Sequence, residues 1–184
     1  MNKVEPIRDM NKVLDIQEYL KSTSQRDYVL FTLGITTARR IGDILKLKVK
    51  DVRNKESIKI TESKTKKEIE IPINDDLKEF FKSYLKNKND YEYLIKSQKN
   101  ENSAISRQQA YKILKDVAER FGLSSIGTHS MRKTFGYHFY NDTKDIMILK
   151  EILNHSHPEE TLRYIGLRDS DKYKKMKKFK YTRK

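Results

Sequence analysis

A chain of 184 residues has the size of one ordinary domain, with room for a proper core. It has no cysteine, which excludes disulfides and thiolate metal sites, and no apolar run long enough to span a bilayer, so a cytoplasmic, nucleoid-associated location is the expectation. A formal net charge of +14 points to polyanionic partners, nucleic acid first, and residues 172–184 alone hold eight lysines and arginines with no acid.

Apolar residues recur at helical spacing from Ile7 to Leu20, which predicts an amphipathic helix. Ser22-Thr23-Ser24 breaks it, and Ser24 can cap the next helix, whose stretch Tyr28 to Ile35 is apolar enough to be buried. Thr36-Thr37-Ala38 then turns the chain into Arg39-Arg40-Ile41-Gly42-Asp43. Two arginines directly after a buried helix are unusual, because arginine is rarely buried unless paired; at least one is held for a purpose. Ser57 to Ile60 and Glu68 to Ile73 read as two short strands, the second alternating Ile69, Ile71 and Ile73, with Glu62-Ser63-Lys64-Thr65-Lys66-Lys67 as a polar turn between them. Asp75 is the expected cap of a helix to about Leu85, and Tyr93-Leu94-Ile95 the expected edge strand.

Ser106-Arg107-Gln108-Gln109 is a capping box opening a helix to about Arg120, which Gly122 ends. Helices follow over Ser130 to Tyr140 and Asp145 to Leu153. Ser156-His157-Pro158-Glu159 is a second capping box with proline in the first turn, so a short helix carries Tyr164. A last helix is expected from Asp169 to Phe179. The fold class is mainly α with a small antiparallel β-sheet, an α+β domain.

All four histidines fall between Thr128 and Tyr164, with Arg132 three residues after His129 and Tyr164 nine after His155. Metal-independent cleavage of a phosphodiester needs a nucleophile, cationic donors on the non-bridging oxygens, and a group that moves protons. Arginine suits the second task because its planar fork binds two phosphate oxygens and stays charged. His129 and Arg132 lie about one helical turn apart on one face. Taken singly, each of these residues has an ordinary structural explanation, and Lys64 is one of three lysines in a turn.

In combination, the chain resembles the tyrosine recombinase (phage integrase) family over about residues 8–168. Thr37-Ala38-Arg39-Arg40-Ile41-Gly42-Asp43 looks like the family's first arginine box, Glu62-Ser63-Lys64-Thr65-Lys66 like its β-hairpin lysine motif, and Thr128-His129-Ser130-Met131-Arg132 like its His-x-x-Arg box. Leu153-Asn154-His155-Ser156 matches the segment with the later histidine, followed by Thr161-Leu162-Arg163-Tyr164. The resemblance implies a type IB topoisomerase-like catalytic fold that cleaves and rejoins double-stranded DNA. Tyr164 would be the nucleophile, Arg40 and Arg132 the phosphate clamp, and Lys64 the acid for the leaving 5′-oxygen. His129 would assist proton transfer, and His155 would hydrogen-bond the phosphate. No metal or other cofactor is implied. A tetramer on DNA and a monomer alone are expected.

Arg40 keeps the family's register before Ile41-Gly42-Asp43, although Arg39 stands where a leucine is usual; Lys66 or Lys67 could replace Lys64. Residues 1–168 are expected to form the catalytic domain and 169–184 a basic tail, with no N-terminal core-binding domain. The tail could add phosphate contacts, dock Tyr173, Met176 and Phe179 on a neighbouring protomer, or remain a solvated terminus. The alternatives to a recombinase of a phage or other mobile element are a catalytically silent DNA-binding regulator of the same fold and a topoisomerase-like relaxing enzyme.

Overall fold

The computed structural model describes residues 4–99, 101–167 and 176–177. Eight α-helices and one two-stranded antiparallel sheet make up the described residues: α1 Met10–Thr23, α2 Gln25–Thr37, α3 Ile41–Ile44, β1 Ser57–Thr61, β2 Glu68–Pro72, α4 Asp75–Tyr84, α5 Arg107–Arg120, α6 Ser130–Thr143, α7 Ile146–Ile152 and α8 Pro158–Tyr164. The mainly helical expectation with a small sheet therefore matches the architecture. None of the helices among the described residues is long and apolar enough to cross a membrane.

Helix α2 is the axis of the domain. Its uninterrupted apolar run buries Val29, Leu30, Phe31 and Leu33, because α1 packs on one side and α6 on another. The approach of α6 depends on Gly34: a Cβ there would lie 2.9 Å from Cβ of Met131 and closer still to its sulfur. The hairpin pairs Ile58 with Ile71 and Ile60 with Ile69, so one face carries isoleucines toward the core.

The apolar interior has two parts. The larger joins α1, α2, β1, α4 and α5, with Met131 of α6 reaching into it. A smaller one, built on Ala38, Leu149, Leu153 and Ile165, lies under α6, α7 and α8 and includes the partly buried Tyr164.

Four local expectations need correction. The first helix begins at Met10, capped by Asp9, and Ile7 lies before it in a buried segment whose backbone N–H donates to Thr134 Oγ1 at 2.9 Å. Asn74, not Asp75, caps α4, its side chain accepting from the Leu77 N–H at 3.0 Å. Tyr93 and Lys96 each form a single isolated bridge, to Lys48 and Ala104, and add no strand to the sheet, because no neighbouring pair extends either bridge into a ladder. His157, not Ser156, is the N-cap of α8, since Pro158 already sits in the first turn; the Ser156 N–H instead meets Glu160 at 3.4 Å. The helix expected over residues 169–179, and with it the tail, lies outside the described residues apart from 176–177.

Candidate active site

At the corner between α2 and α3, two adjacent arginines have different surroundings. Ala38 ends α2 in the left-handed region (φ 56°), which turns Arg39 into the interior and leaves Arg40 as the N-cap of α3. The Arg39 side chain is 1% exposed. Its Nε donates to the Thr37 carbonyl and its Nη1 to Glu62 Oε1, both at 3.0 Å, while Nη2 donates to the Ile152 carbonyl. Burial lowers its pKa to about 10, helped by Arg132 and opposed by Glu62, so it stays charged at neutral pH. Arg40 is 30% exposed, and its Nη1 lies 3.3 Å from the same Glu62 oxygen. That nitrogen is buried yet has no hydrogen-bond partner among the described residues.

The hairpin brings Glu62 to this corner. Along β1 the inward positions are Ile58 and Ile60, and the next in the period of two is Glu62, fully buried. Its Oε1 faces Arg39, Arg40 and Arg132 at 3.0, 3.3 and 3.8 Å, and its Oε2 accepts from Thr65 Oγ1 at 2.8 Å. Ser63 is tied down beside it: its N–H donates to Asp43 Oδ1 at 3.1 Å, its hydroxyl donates to the same oxygen, and it accepts from Lys46 Nζ at 2.7 Å. Lys64 follows, exposed and with no hydrogen bond or ion pair to another described residue. Lys66 takes a left-handed backbone (φ 62°), and Lys67 Nζ reaches Asn154 Oδ1 at 3.4 Å.

The start of α6 supplies the second guanidinium. His129 is the N-cap and Arg132 lies one turn in, nearly buried, its Nη2 donating to the Leu153 carbonyl at 2.5 Å. Like that of Arg40, Arg132 Nη1 is buried without a hydrogen-bond partner among the described residues. Burial lowers the Arg132 pKa against the raising influence of Tyr164, Glu62 and Asp43. His129, more open to solvent, is held below the ordinary histidine value by desolvation and by Arg132, Arg40 and Lys133.

Asn154, left-handed at φ 50°, turns the chain out of α7 and into the segment that carries His155. The His155 ring is fixed by a 3.0 Å hydrogen bond between Nδ1 and Thr161 Oγ1, and it meets the Tyr164 ring edge-on with centroids 5.1 Å apart. Desolvation lowers its pKa, Glu160 opposing and Arg132 and Arg40 adding to the shift. Tyr164 ends α8. Its hydroxyl is buried with no hydrogen-bond partner among the described residues, and Lys133 Nζ stands 5.2 Å from its ring centroid. Burial raises the phenol pKa, while Arg132 and Arg40 pull it back by favouring the phenolate.

Five residues singled out in the sequence, Arg40, His129, Arg132, His155 and Tyr164, thus share one electrostatic neighbourhood. Lys64 stands at its rim, tethered through Glu62 and Ser63. Glu62 was missed as a site residue because it reads as the first residue of a polar turn. Its signal is the register Ile58-Ile60-Glu62, which carries a carboxylate onto an apolar face. Lys133, a buried lysine next to Tyr164, left no signal beyond its position in α6. None of these residues lines the groove of about 1120 Å³ between α1, α2, α4 and α6.

This arrangement, two arginine donors and a phenol that make no hydrogen bond among the described residues, set within a cationic cluster, suits attack on a phosphodiester. Residues 6–171 match the model of the phage integrase family. The chain belongs to that family. The probable integrase/recombinase YoeC of Bacillus subtilis is 52% identical over 91% of this chain and 92% of its own length. The tyrosine recombinase XerC of Thermodesulfovibrio yellowstonii is 28% identical over 82% of the chain but 53% of itself, so the chain spans about half the length of this relative. The fold is that of the XerA recombinase crystal structure, with a TM-score of 0.76 at 19% identity, covering 98% of this chain and 66% of that one. A lambda integrase tetramer bound to a Holliday junction superposes with a TM-score of 0.67 at 17% identity over 88% of this chain and 48% of the integrase.

Proposed function

We propose that this member of the phage integrase family is a site-specific DNA recombinase that breaks and rejoins double-stranded DNA through a 3′-phosphotyrosyl link at Tyr164. The observation that carries the reading is a set of three buried polar atoms without a hydrogen bond among the described residues: Nη1 of Arg40, Nη1 of Arg132 and the hydroxyl of Tyr164. Buried polar groups in folded proteins are nearly all paired, so three orphans in one cluster mark a place built to be completed by another polar group. A phosphate with two non-bridging oxygens suits the two guanidiniums, and both of them also act on the charge of the Tyr164 phenol.

In this mechanism Tyr164 Oη attacks phosphorus, the P–O5′ bond breaks and a P–Oη bond forms. The phenol proton passes to His129, whose depressed pKa keeps it neutral and able to accept it. Lys64 delivers a proton to the departing 5′-oxygen. Arg40 and Arg132 hold the non-bridging oxygens as charge builds on them, a task for rigid, preorganised donors. His155, its Nδ1 committed to Thr161, presents Nε2 to the phosphate. Rejoining reverses the steps when the 5′-hydroxyl of a partner duplex attacks the link.

The net charge of +14 supports duplex DNA as the partner, and the lambda integrase tetramer on a Holliday junction supports assembly into a tetramer there. The source of that DNA is read as a phage or other mobile element, on the strength of the family alone. Residues 1–168 are read as the catalytic domain, and the basic stretch 169–184 as a separate tail. A nicked suicide duplex tests the reading, since the fragment beyond the nick diffuses away and traps the covalent adduct. Wild type forms an adduct and Tyr164→Phe forms none. Absence of adduct on every duplex tried, or an adduct that survives in Tyr164→Phe, would overturn it.

A further inference from the structure

Glu62 belongs to no step of the mechanism, yet it is the most completely enclosed acid of the cluster. A fully buried carboxylate with one strong partner would be an ordinary structural pair. Here one oxygen serves three guanidiniums, from Arg39 at 3.0 Å, Arg40 at 3.3 Å and Arg132 at 3.8 Å. The contacts differ in kind. Arg39 makes a true hydrogen bond to Glu62 and spends its other nitrogens on backbone carbonyls. Arg40 and Arg132 approach close enough for charge attraction, while their Nη1 atoms make no hydrogen bond. Glu62 therefore holds these two side chains by charge, through Nη1 of each, and makes no hydrogen bond to either.

The carboxylate is itself held. Its second oxygen accepts from Thr65 at 2.8 Å, and its backbone closes the hairpin, with Glu62 N–H to the Lys67 carbonyl and Lys66 N–H to the Glu62 carbonyl both at 2.9 Å. Lys64 is two residues away, and Ser63 is pinned to Asp43 between them. Three like charges packed together repel, so without a central anion the two phosphate-facing arginines would splay toward solvent or backbone acceptors.

We infer that Glu62 is a positioning residue, which aims Arg40 and Arg132 at one phosphate and locks the Lys64 hairpin to that clamp. The inference rests on the recombinase reading above. Glu62 touches neither the phosphate nor the nucleophile, and it acts through the two arginines. One residue thereby makes docking of the hairpin and alignment of the clamp a single event.

The test compares Glu62→Gln, which keeps shape and removes charge, with Glu62→Asp, which keeps charge on a shorter stem, both in the full chain. The readouts are single-turnover adduct formation on saturating suicide duplex, duplex affinity by gel shift, and the thermal midpoint. A positioning role slows Glu62→Gln by about tenfold or more, leaves affinity within about threefold, and lets Glu62→Asp regain part of the loss. Thr65→Val, which frees the second oxygen without touching charge, slows adduct formation by a few-fold at unchanged affinity, and it decides the matter should Glu62→Gln not fold. A Glu62→Gln chain that cleaves within about threefold of wild type overturns the inference, as does a fall of rate and affinity in step with the thermal midpoint. For the fallback variant, a Thr65→Val chain at wild-type rate overturns it. Failure of the recombinase reading looks different, because wild type itself would then make no adduct.

Discussion

Arg39 and Arg40 are adjacent, identical in chemistry and opposite in expected phenotype. Replacing Arg39 by methionine keeps most of the volume but deletes a guanidinium that is 1% exposed and bonded to Glu62, Thr37 and Ile152. Breaking a buried pair by removing one partner costs about 3–5 kcal/mol. For a chain of this length each kcal/mol moves the midpoint by roughly 2–4 °C, so Arg39→Met should melt about 6–20 °C below wild type. Arg40→Ala removes a partly exposed side chain whose tip makes an ion contact without a hydrogen bond, so its stability cost should stay near 1 kcal/mol or less. Its loss should instead slow adduct formation by about 10²–10³-fold, the usual consequence of deleting one transition-state donor. Thermal unfolding by circular dichroism and single-turnover cleavage of a suicide duplex measure the two effects. The reasoning collapses if the phenotypes exchange, with Arg39→Met melting like wild type or Arg40→Ala cleaving at wild-type rate.

Cleavage should fall on the acid side with a midpoint below the ordinary imidazole value of about 6.5, because His129 and His155 are both depressed by desolvation and neighbouring cations. Stability follows the same sign: as pH falls from about 6.5 the unfolded chain takes up protons first, and stability is lost toward the lower folded values. An acid limb centred at or above the ordinary value would contradict both statements. Lys64→Ala should cleave ordinary duplex slowly and recover on a duplex with sulfur at the bridging 5′ position, since a thiol, with a pKa of about 8.5, departs without a donated proton; recovery by Lys66→Ala instead would reassign the acid. Gly34→Ala should cost about 1–3 kcal/mol by forcing α2 off Met131. Its cost and that of Met131→Ala should fall short of additive in the double variant, and full additivity in chemical denaturation would show that the two sites do not touch.

Much of the architecture was legible along the chain because it rests on local rules. The apolar run of α2, the Ser24 and Ser106 caps, the alternation in the hairpin and Pro158 at the start of α8 each announce themselves within a few residues. The errors were local competitions as well: Asn74 outbid Asp75 as a cap because the helix begins one residue earlier than the acidic pair suggests. His129, Arg132, His155 and Tyr164 could be singled out by type and spacing, and Arg40 by the register of its box.

What the chain alone determined was which residue types are available for phosphodiester chemistry and in what order they come. What only the tertiary structure decided is which of them are already paired. Arg39 and Arg40 look alike in sequence, and it is the left-handed turn at Ala38 that commits one to backbone carbonyls and leaves the other with a buried donor that makes no hydrogen bond among the described residues. Glu62 looks like a turn residue until the hairpin packs by α3 and buries it among three guanidiniums. Pairing depends on contacts between residues far apart in the chain, as in Glu62 with Arg39 and with Arg132, and periodicity carries no information about those.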